Sequence, residues 1–202
     1  MRRPAALALA LILVLGACMS GQDPTVEAGG GDTSGPGVSS LSTPGSPTTL
    51  PLLTPPISTQ PVEERGYLTK VGAAALDGNP GGSRVVFEFD PVVPGYTIDY
   101  AEGEVTEDGS GDKVEVEGAA VLVVRFENSG GARIEGEDVT PTYTGPGRVE
   151  PTGAEGVVTE VVDAGDFEGV VTWAIGLRQR VGGFAATTLS NPSRLALDLV
   201  PS

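Results

Sequence analysis

All ten aromatic residues of this 202-residue chain fall between Tyr67 and Phe184. Each large ring buries about 150–250 Å² and rings dominate most cores. A first third without any of them cannot share a core with the rest. The folded part therefore lies in the remaining two-thirds, and the start of the chain serves another purpose.

Within that folded part the apolar residues recur at every second position. Val85, Phe87 and Phe89 alternate with Val86, Glu88 and Asp90, and Tyr96, Ile98 and Tyr100 with Thr97, Asp99 and Ala101. Val114 and Val116 alternate with Lys113, Glu115 and Glu117, and Leu195, Leu197 and Leu199 with Arg194, Ala196 and Asp198. Period two with one polar face predicts half-buried antiparallel strands. Ala120–Phe126 and Val170–Ile175 are more continuously apolar, which predicts central strands. Val157–Val162 fits a strand or a short helix, and its β-branched residues favour the strand. Turn residues such as Asp77-Gly78-Asn79-Pro80 and Asn128-Ser129-Gly130-Gly131 separate these runs. No long stretch keeps a 3.6-residue period free of Gly and Pro. The expectation is an all-β fold: an antiparallel two-sheet β-sandwich of eight or nine strands, with a small barrel as the alternative.

The first seventeen residues read as an address. Arg2 and Arg3 precede an unbroken apolar run from Ala5 to Ala17. That run is shorter than the roughly 20 residues a spanning helix needs, and it fits a signal peptide. It ends Leu15-Gly16-Ala17-Cys18, and Cys18 is the only Cys in the chain. The arrangement resembles a bacterial lipobox, which implies cleavage before Cys18 and a diacylglycerol thioether on its sulfur. Two acyl chains suffice for stable anchoring where one is marginal. The alternative is an ordinary secreted protein with a stray Cys.

From Met19 to Glu64 there is no Lys, Arg or aromatic residue, and Pro, Ser, Thr and Gly dominate. Such a composition cannot bury enough apolar surface to offset chain entropy, so 18–64 is expected to be a disordered tether. As a coil it would span roughly 40 Å, and fully extended about 140 Å. Leu50, Leu52, Leu53 and Ile57 form a small apolar cluster within it, read as isolated linker residues rather than a docked segment. Residues 65–202 form the expected domain.

Composition also excludes chemistry. The chain has no His, which removes a His general base, a Ser-His-Asp triad and His-ligated metals. A single Cys removes internal disulfides and thiolate zinc clusters. With 12 Lys and Arg against 27 Asp and Glu the net charge is −15. Loss of Arg2 and Arg3 with the leader makes it −17. That charge argues against a nucleic-acid partner and against lying flat on anionic lipid.

Several residues remain as candidates. Gly165-Asp166-Phe167-Glu168-Gly169 puts two carboxylates on a short loop, able to accept from sugar hydroxyls or peptide amines. As a plain turn it would have Asp166 capping backbone N–H groups and Phe167 packed inward. A glycosidase needs carboxylates paired across a cleft; many acids are present, so no pair points to catalysis. Asp108-Gly109-Ser110-Gly111-Asp112 begins like a calcium loop. Lys113 stands where a Gly is needed and Ala119 where a bidentate Glu is needed, so a hairpin loop is expected and no metal site. Trp173 alternates with Val171 and Ile175 and reads as core. Tyr143, in a Gly/Pro loop, is the best exposed ring for stacking on a sugar. Arg84 and Arg194 begin strands; they can pair with Glu88 or Asp198, or hold a wall-peptide carboxylate.

In order, Arg84-Val85-Val86-Phe87-Glu88-Phe89, Pro94-Gly95-Tyr96, Asp108-Gly109-Ser110-Gly111 and Tyr143-Thr144-Gly145-Pro146 form a pattern. It continues with Gly165–Gly169, Trp173-Ala174-Ile175-Gly176-Leu177 and Pro192-Ser193-Arg194-Leu195. This ordered set resembles the AMIN-like domain of actinobacterial envelope lipoproteins over residues 65 to 200. AMIN domains of cell-wall amidases and secretins are two-sheet sandwiches that bind peptidoglycan and localise their partners. The resemblance implies that fold, and with it peptidoglycan binding. One departure is that relatives often carry a His and an Asp before the Arg-Val-Val-Phe strand, where this chain has neither. The expectation is a non-catalytic, cofactor-free domain held by Cys18 to the outer face of the cell membrane. Its partner is peptidoglycan or an envelope protein, contacted through Asp166, Glu168, Tyr143, Arg84 and Arg194. A structural lipoprotein with a protein partner and no glycan affinity is the alternative.

Overall fold

The computed structural model describes residues 52–201. The expected leader 1–17, Cys18 and the expected tether up to residue 51 lie outside the described residues. Thirteen strands follow in chain order: β1 (Ile57–Ser58), β2 (Gly66–Ala75), β3 (Ser83–Asp90), β4 (Gly95–Tyr100), β5 (Ala120–Glu127), β6 (Ser129–Gly130), β7 (Ala132–Glu135), β8 (Asp138–Pro141), β9 (Arg148–Val149), β10 (Val158–Phe167), β11 (Val170–Leu177), β12 (Val181–Leu189) and β13 (Ser193–Pro201). Eight of them have six or more residues, in line with the eight or nine expected. The rest are short pieces that finish edges and one small hairpin.

The long strands form two sheets. One has six strands in the order β1-β4-β5-β11-β10-β9, the other five in the order β12-β13-β3-β2-β6. Neighbours are antiparallel except the β2–β6 pair. The sheets share no hydrogen-bonded strand pair, so they form a sandwich rather than a closed barrel. Their inner faces meet through rings. Phe126 of β5 packs against Phe87 and Phe89 of β3 with centroids 5.0 and 4.8 Å apart. Trp173 of β11 lies 6.3 Å from Phe87 and is 1% exposed. The continuously apolar β5 and β11 are central, as their composition predicts, and Val158–Val162 is strand.

Two local irregularities decide which side chains face out. In β2 the register with β3 shifts between Leu68 and Lys70. Strict alternation would put both on one face. The bulge at Thr69 instead leaves Leu68 and Val71 buried and Lys70 exposed. In β10 the register with β11 shifts between Asp163 and Asp166. There Gly165 sits at φ 122°, and a Cβ on it would lie 2.8 Å from the amide nitrogen of Asp108. Only Gly fits, and the extra residue lets two Asp three positions apart approach the same hollow.

The boundary expected at residue 65 falls too late. Leu53 and Phe184 of β12 exchange backbone hydrogen bonds of 2.7 and 2.9 Å. Ile57 pairs with Ile98 of β4, and Thr59 accepts from the Tyr96 amide at 2.8 Å. Residues 53–59 thus clasp β12 of one sheet and β4 of the other along the same side of the sandwich. Leu53 and Ile57, read as isolated linker residues, are docked, because the clasp satisfies edge groups that would otherwise stay open. A second difference concerns Val114 and Val116. They are half-buried but belong to no named strand; beside them the backbone pairs through the Thr106–Lys113 bridge and the Val114–Val105 hydrogen bond.

Candidate functional site

The outer face of the five-stranded sheet carries three cross-strand rows. Lys70, Glu88, Arg194 and Leu189 stand opposite one another in the first. Gly72, Val86, Ala196 and Thr187 form the second, and Ala74, Arg84, Asp198 and Ala185 the third. Rows on one face are two residues apart, so the outer two are separated by about 13 Å. The middle row is low and apolar; a Cβ added at Gly72 would meet nothing within 4 Å. The result is a groove of about 290 Å³ floored by Gly72, Ala74 and Val86 and rimmed by Lys70, Arg84, Glu88 and Arg194.

Cations gather on this face beside Glu88, Asp90 and Asp198. Arg84 is held bidentately by Asp198, with bonds of 2.5 and 2.7 Å. That pairing raises the Arg84 pKa, mainly through the hydrogen bond. Lys70 and Arg194 enter none of the ion pairs among the described residues. The Nε of Arg194 is buried without a partner. One row farther, Tyr67 stands opposite Asp90, with the guanidinium carbons of Arg133 and Arg65 4.2 and 5.6 Å from its ring centre. Half of the ten Lys and Arg residues after Cys18 therefore attach to this sheet or its edge, on a chain of charge −15. With Glu88 between Lys70 and Arg194 and Asp198 on Arg84, three cations meet two anions, and the cations outside ion pairs, Lys70 and Arg194, suit a carboxylate.

A second hollow, of about 230 Å³, opens between the sheets on the side away from the clasp. It is lined by Leu68, Gly131, Ala132, Tyr143, Asp163, Asp166, Val171 and Trp173. Asp166 accepts a 2.6 Å hydrogen bond from the Gly131 amide, so it caps a backbone N–H as a turn residue would. Asp163 accepts from the Gly165 amide at 3.0 Å. Desolvation nevertheless pushes the Asp163 pKa up, with Asp166 and Glu107 adding repulsion. Tyr143 meets Trp173 edge to face at 5.5 Å and donates its hydroxyl to the Pro146 carbonyl at 2.7 Å. It is half-buried rather than the freely exposed ring its Gly/Pro loop suggests, because that ring covers the edge of the core. Burial raises its pKa, and Asp163 adds to the effect. The Trp173 Nε1 is buried with no acceptor among the described residues. Leaving such a donor unpaired costs about 1–3 kcal/mol.

The structure thus brings Arg84 and Arg194 to one groove and Tyr143 and Asp166 to another hollow. Glu168 joins neither; it is exposed at φ 50° in the β10–β11 turn. Phe167, expected to pack inward, is 49% exposed and lies over Gly109, where a Cβ would come within 2.8 Å of its ring. The Asp108–Asp112 segment is a turn. Its Asp108 carboxylate accepts from Thr172 Oγ1 at 2.5 Å and from Arg125 at 3.3 Å. No group of three acidic or Cys side chains among the described residues could hold a metal ion. Lys70 and Asp163 escaped the sequence reading, since each is placed by a bulge that strict alternation does not foresee.

A family model for the AMIN-like domain matches residues 69–201. The chain belongs to the AMIN-like family. AMIN-like domains are generally non-catalytic binding domains, and AMIN domains occur in extracytoplasmic proteins of the cell envelope. No curated protein and no solved structure matches the chain. Within the match lie the groove and, apart from Leu68, the lining of the hollow at the sandwich edge.

Proposed function

We propose that this AMIN-like domain is a lipid-anchored, non-catalytic module that binds peptidoglycan at the outer face of the cell membrane. The observation that carries the reading is the groove of Lys70, Arg84 and Arg194 on a strongly acidic chain. Stem peptides of the wall present carboxylates along a polymer. A shallow apolar floor between two charged rows suits a strand laid across the sheet. Cys18 supplies the anchor, and the segment between it and Leu53 sets the reach. Because the clasp joins the β4/β12 side, the sheet face is left open to the wall.

Retention of the full chain on purified sacculi tests the binding. Reversing both free cations, Lys70→Glu with Arg194→Glu, is expected to weaken retention by roughly tenfold, taking up to about 1 kcal/mol per exposed pair. Added salt should weaken the unaltered protein in the same way. Undiminished retention by the double variant would remove the groove from the reading. Cys18→Ala is expected to move the protein from the membrane to the soluble fraction; unchanged fractionation would refute the anchor.

One observation favours a protein partner instead. In the β7–β8 hairpin, Ile134 and Val139 are cross-strand partners and are 68% and 62% exposed. An apolar pair on a projecting hairpin suits a protein surface. Crosslinking in cells through position 134 would yield one dominant protein product on that reading, with no retention on sacculi.

A further inference from the structure

We infer that two copies of this chain pair through a reciprocal contact, with the β7–β8 hairpin of each resting in the sheet groove of the other. Both halves of that contact stand open on the single chain. The hairpin forms a sheet of its own, and Ile134 and Val139 are the two most exposed large apolar side chains among the described residues. Gly136, at φ 65°, makes the turn between Glu135 and Asp138. Glu135, Glu137 and Asp138 crowd that turn and enter none of the ion pairs among the described residues. A two-stranded hairpin standing alone is marginal in water, so covering its apolar pair stabilises it.

The groove is the complement of this hairpin. Alternation puts Ile134 and Val139 on one face of the hairpin and Glu135 and Asp138 on the other. The groove is two-sided as well. One wall carries Lys70 and Arg194, two strand spacings or about 10 Å apart, with Glu88 between them. The other carries Ala74, Ala185 and the Arg84–Asp198 pair, whose charges cancel. Gly72 and Val86 give a low apolar floor. A β-layer is about 10 Å thick with its side chains, and the two walls are roughly 13 Å apart. A hairpin entering end-on turns its carboxylates toward Lys70 and Arg194 and its apolar pair toward the Ala wall.

A second copy is the occupant that fills both halves. A basic peptide would serve the hairpin and leave the groove empty; a small anion would do the reverse. Arg133 ties the hairpin to Asp90 at 2.6 Å and lies over the Tyr67 ring, one row beyond Lys70 and Glu88. Hairpin and groove are therefore neighbours on each copy, so a two-fold axis can exchange them and close the pair. Each copy is strongly acidic overall, but at physiological salt charges more than about 8 Å apart are largely screened, while those within the contact are not.

Sedimentation velocity of the full chain, from about 10 µM to about 1 mM, tests the pairing at the affinities expected of small transient contacts. The sedimentation coefficient should rise with concentration and level off at a dimer. Reversing the hairpin, Glu135→Lys with Glu137→Lys and Asp138→Lys, should weaken association at least about tenfold, and so should Lys70→Glu with Arg194→Glu. Gly72→Leu raises the floor at unchanged charge, where an added Cβ meets nothing within 4 Å, and should weaken it too. Mixing the two charge-reversed variants restores opposite charges at both contacts, so association should return to within about threefold of the unaltered protein. Misfolding of a variant would not be repaired by mixing. No association of the unaltered chain, association that persists in either charge-reversed variant alone, a mixture that stays monomeric, or growth beyond a dimer would each overturn the pairing. The inference does not rest on wall binding. Sacculus retention without a dimer refutes the pairing alone, and a dimer without retention refutes the wall-binding reading alone.

Discussion

Phe126→Ala is the substitution whose effect follows most directly from the packing. Phe126 is fully buried and touches rings from both sheets: Phe87 at 5.0 Å, Phe89 at 4.8 Å and Tyr96 at 6.4 Å. About 150 Å² of ring at about 25 cal/mol per Å² gives about 4 kcal/mol. Buried Phe→Ala changes span about 3–5 kcal/mol once the residual cavity is included. For a domain of this size each kcal/mol moves the melting temperature by about 2–4 °C. A fall of about 8–16 °C is therefore expected. Phe167→Ala is the matched control: the same chemistry at a residue that is 49% exposed, with an expected cost below about 1.5 kcal/mol. Calorimetric melts of both variants, compared at one pH, make the test. Equal losses would refute the claim that the ring at 126 joins the two sheets while the ring at 167 lies outside them.

Other expectations follow from the clasp and from the edge hollow. A Cβ at Gly183 would lie 2.9 Å from both the Leu52 Cβ and the Leu53 carbonyl. Gly183→Val should displace the clasp, seen as faster hydrogen exchange at the Phe184 amide and proteolytic cutting between residues 52 and 61, with the sandwich still folded. Protection at Phe184 equal to that of the unaltered protein would count against the clasp. Asp163 has its pKa raised in the fold, first by burial. The folded state then binds the proton more tightly than the unfolded one, so this group costs stability as pH rises through its native pKa. Asp163→Asn should raise the melting temperature at neutral pH, and the gain should disappear on acidification below the ordinary carboxylate range. A gain that persists unchanged at acid pH would show that charge is not its origin.

The strands were legible because alternation survives in the sequence wherever one face is buried. Val85-Phe87-Phe89 and Leu195-Leu197-Leu199 read as strands and are strands. Alternation also misled at Val114 and Val116, where half-buried side chains recur at every second position but the backbone pairing is too short to make a strand. Composition misplaced the domain boundary, since Leu53 and Ile57 sit among Pro and Thr residues and only a partner edge reveals their role. Of the candidate site residues, Arg84 was readable as a strand residue with Glu88 and Asp198 as its two partners on offer; the pairing of β3 with β13 selects Asp198. Arg194 was readable as a strand residue, but its place beside Lys70 was not.

The sequence by itself determined the class of fold and the exclusion of His and thiolate chemistry. These depend on residue type and on period two, both local properties. The tertiary structure decided which faces meet and which side chains share a site. Two bulges did most of that work: one turned Lys70 out of the core and into the groove, the other brought Asp163 and Asp166 to one hollow. A bulge shifts every later side chain to the other face. Its position depends on pairing with a neighbouring strand, so it is written in contacts between segments rather than in the pattern of any one of them.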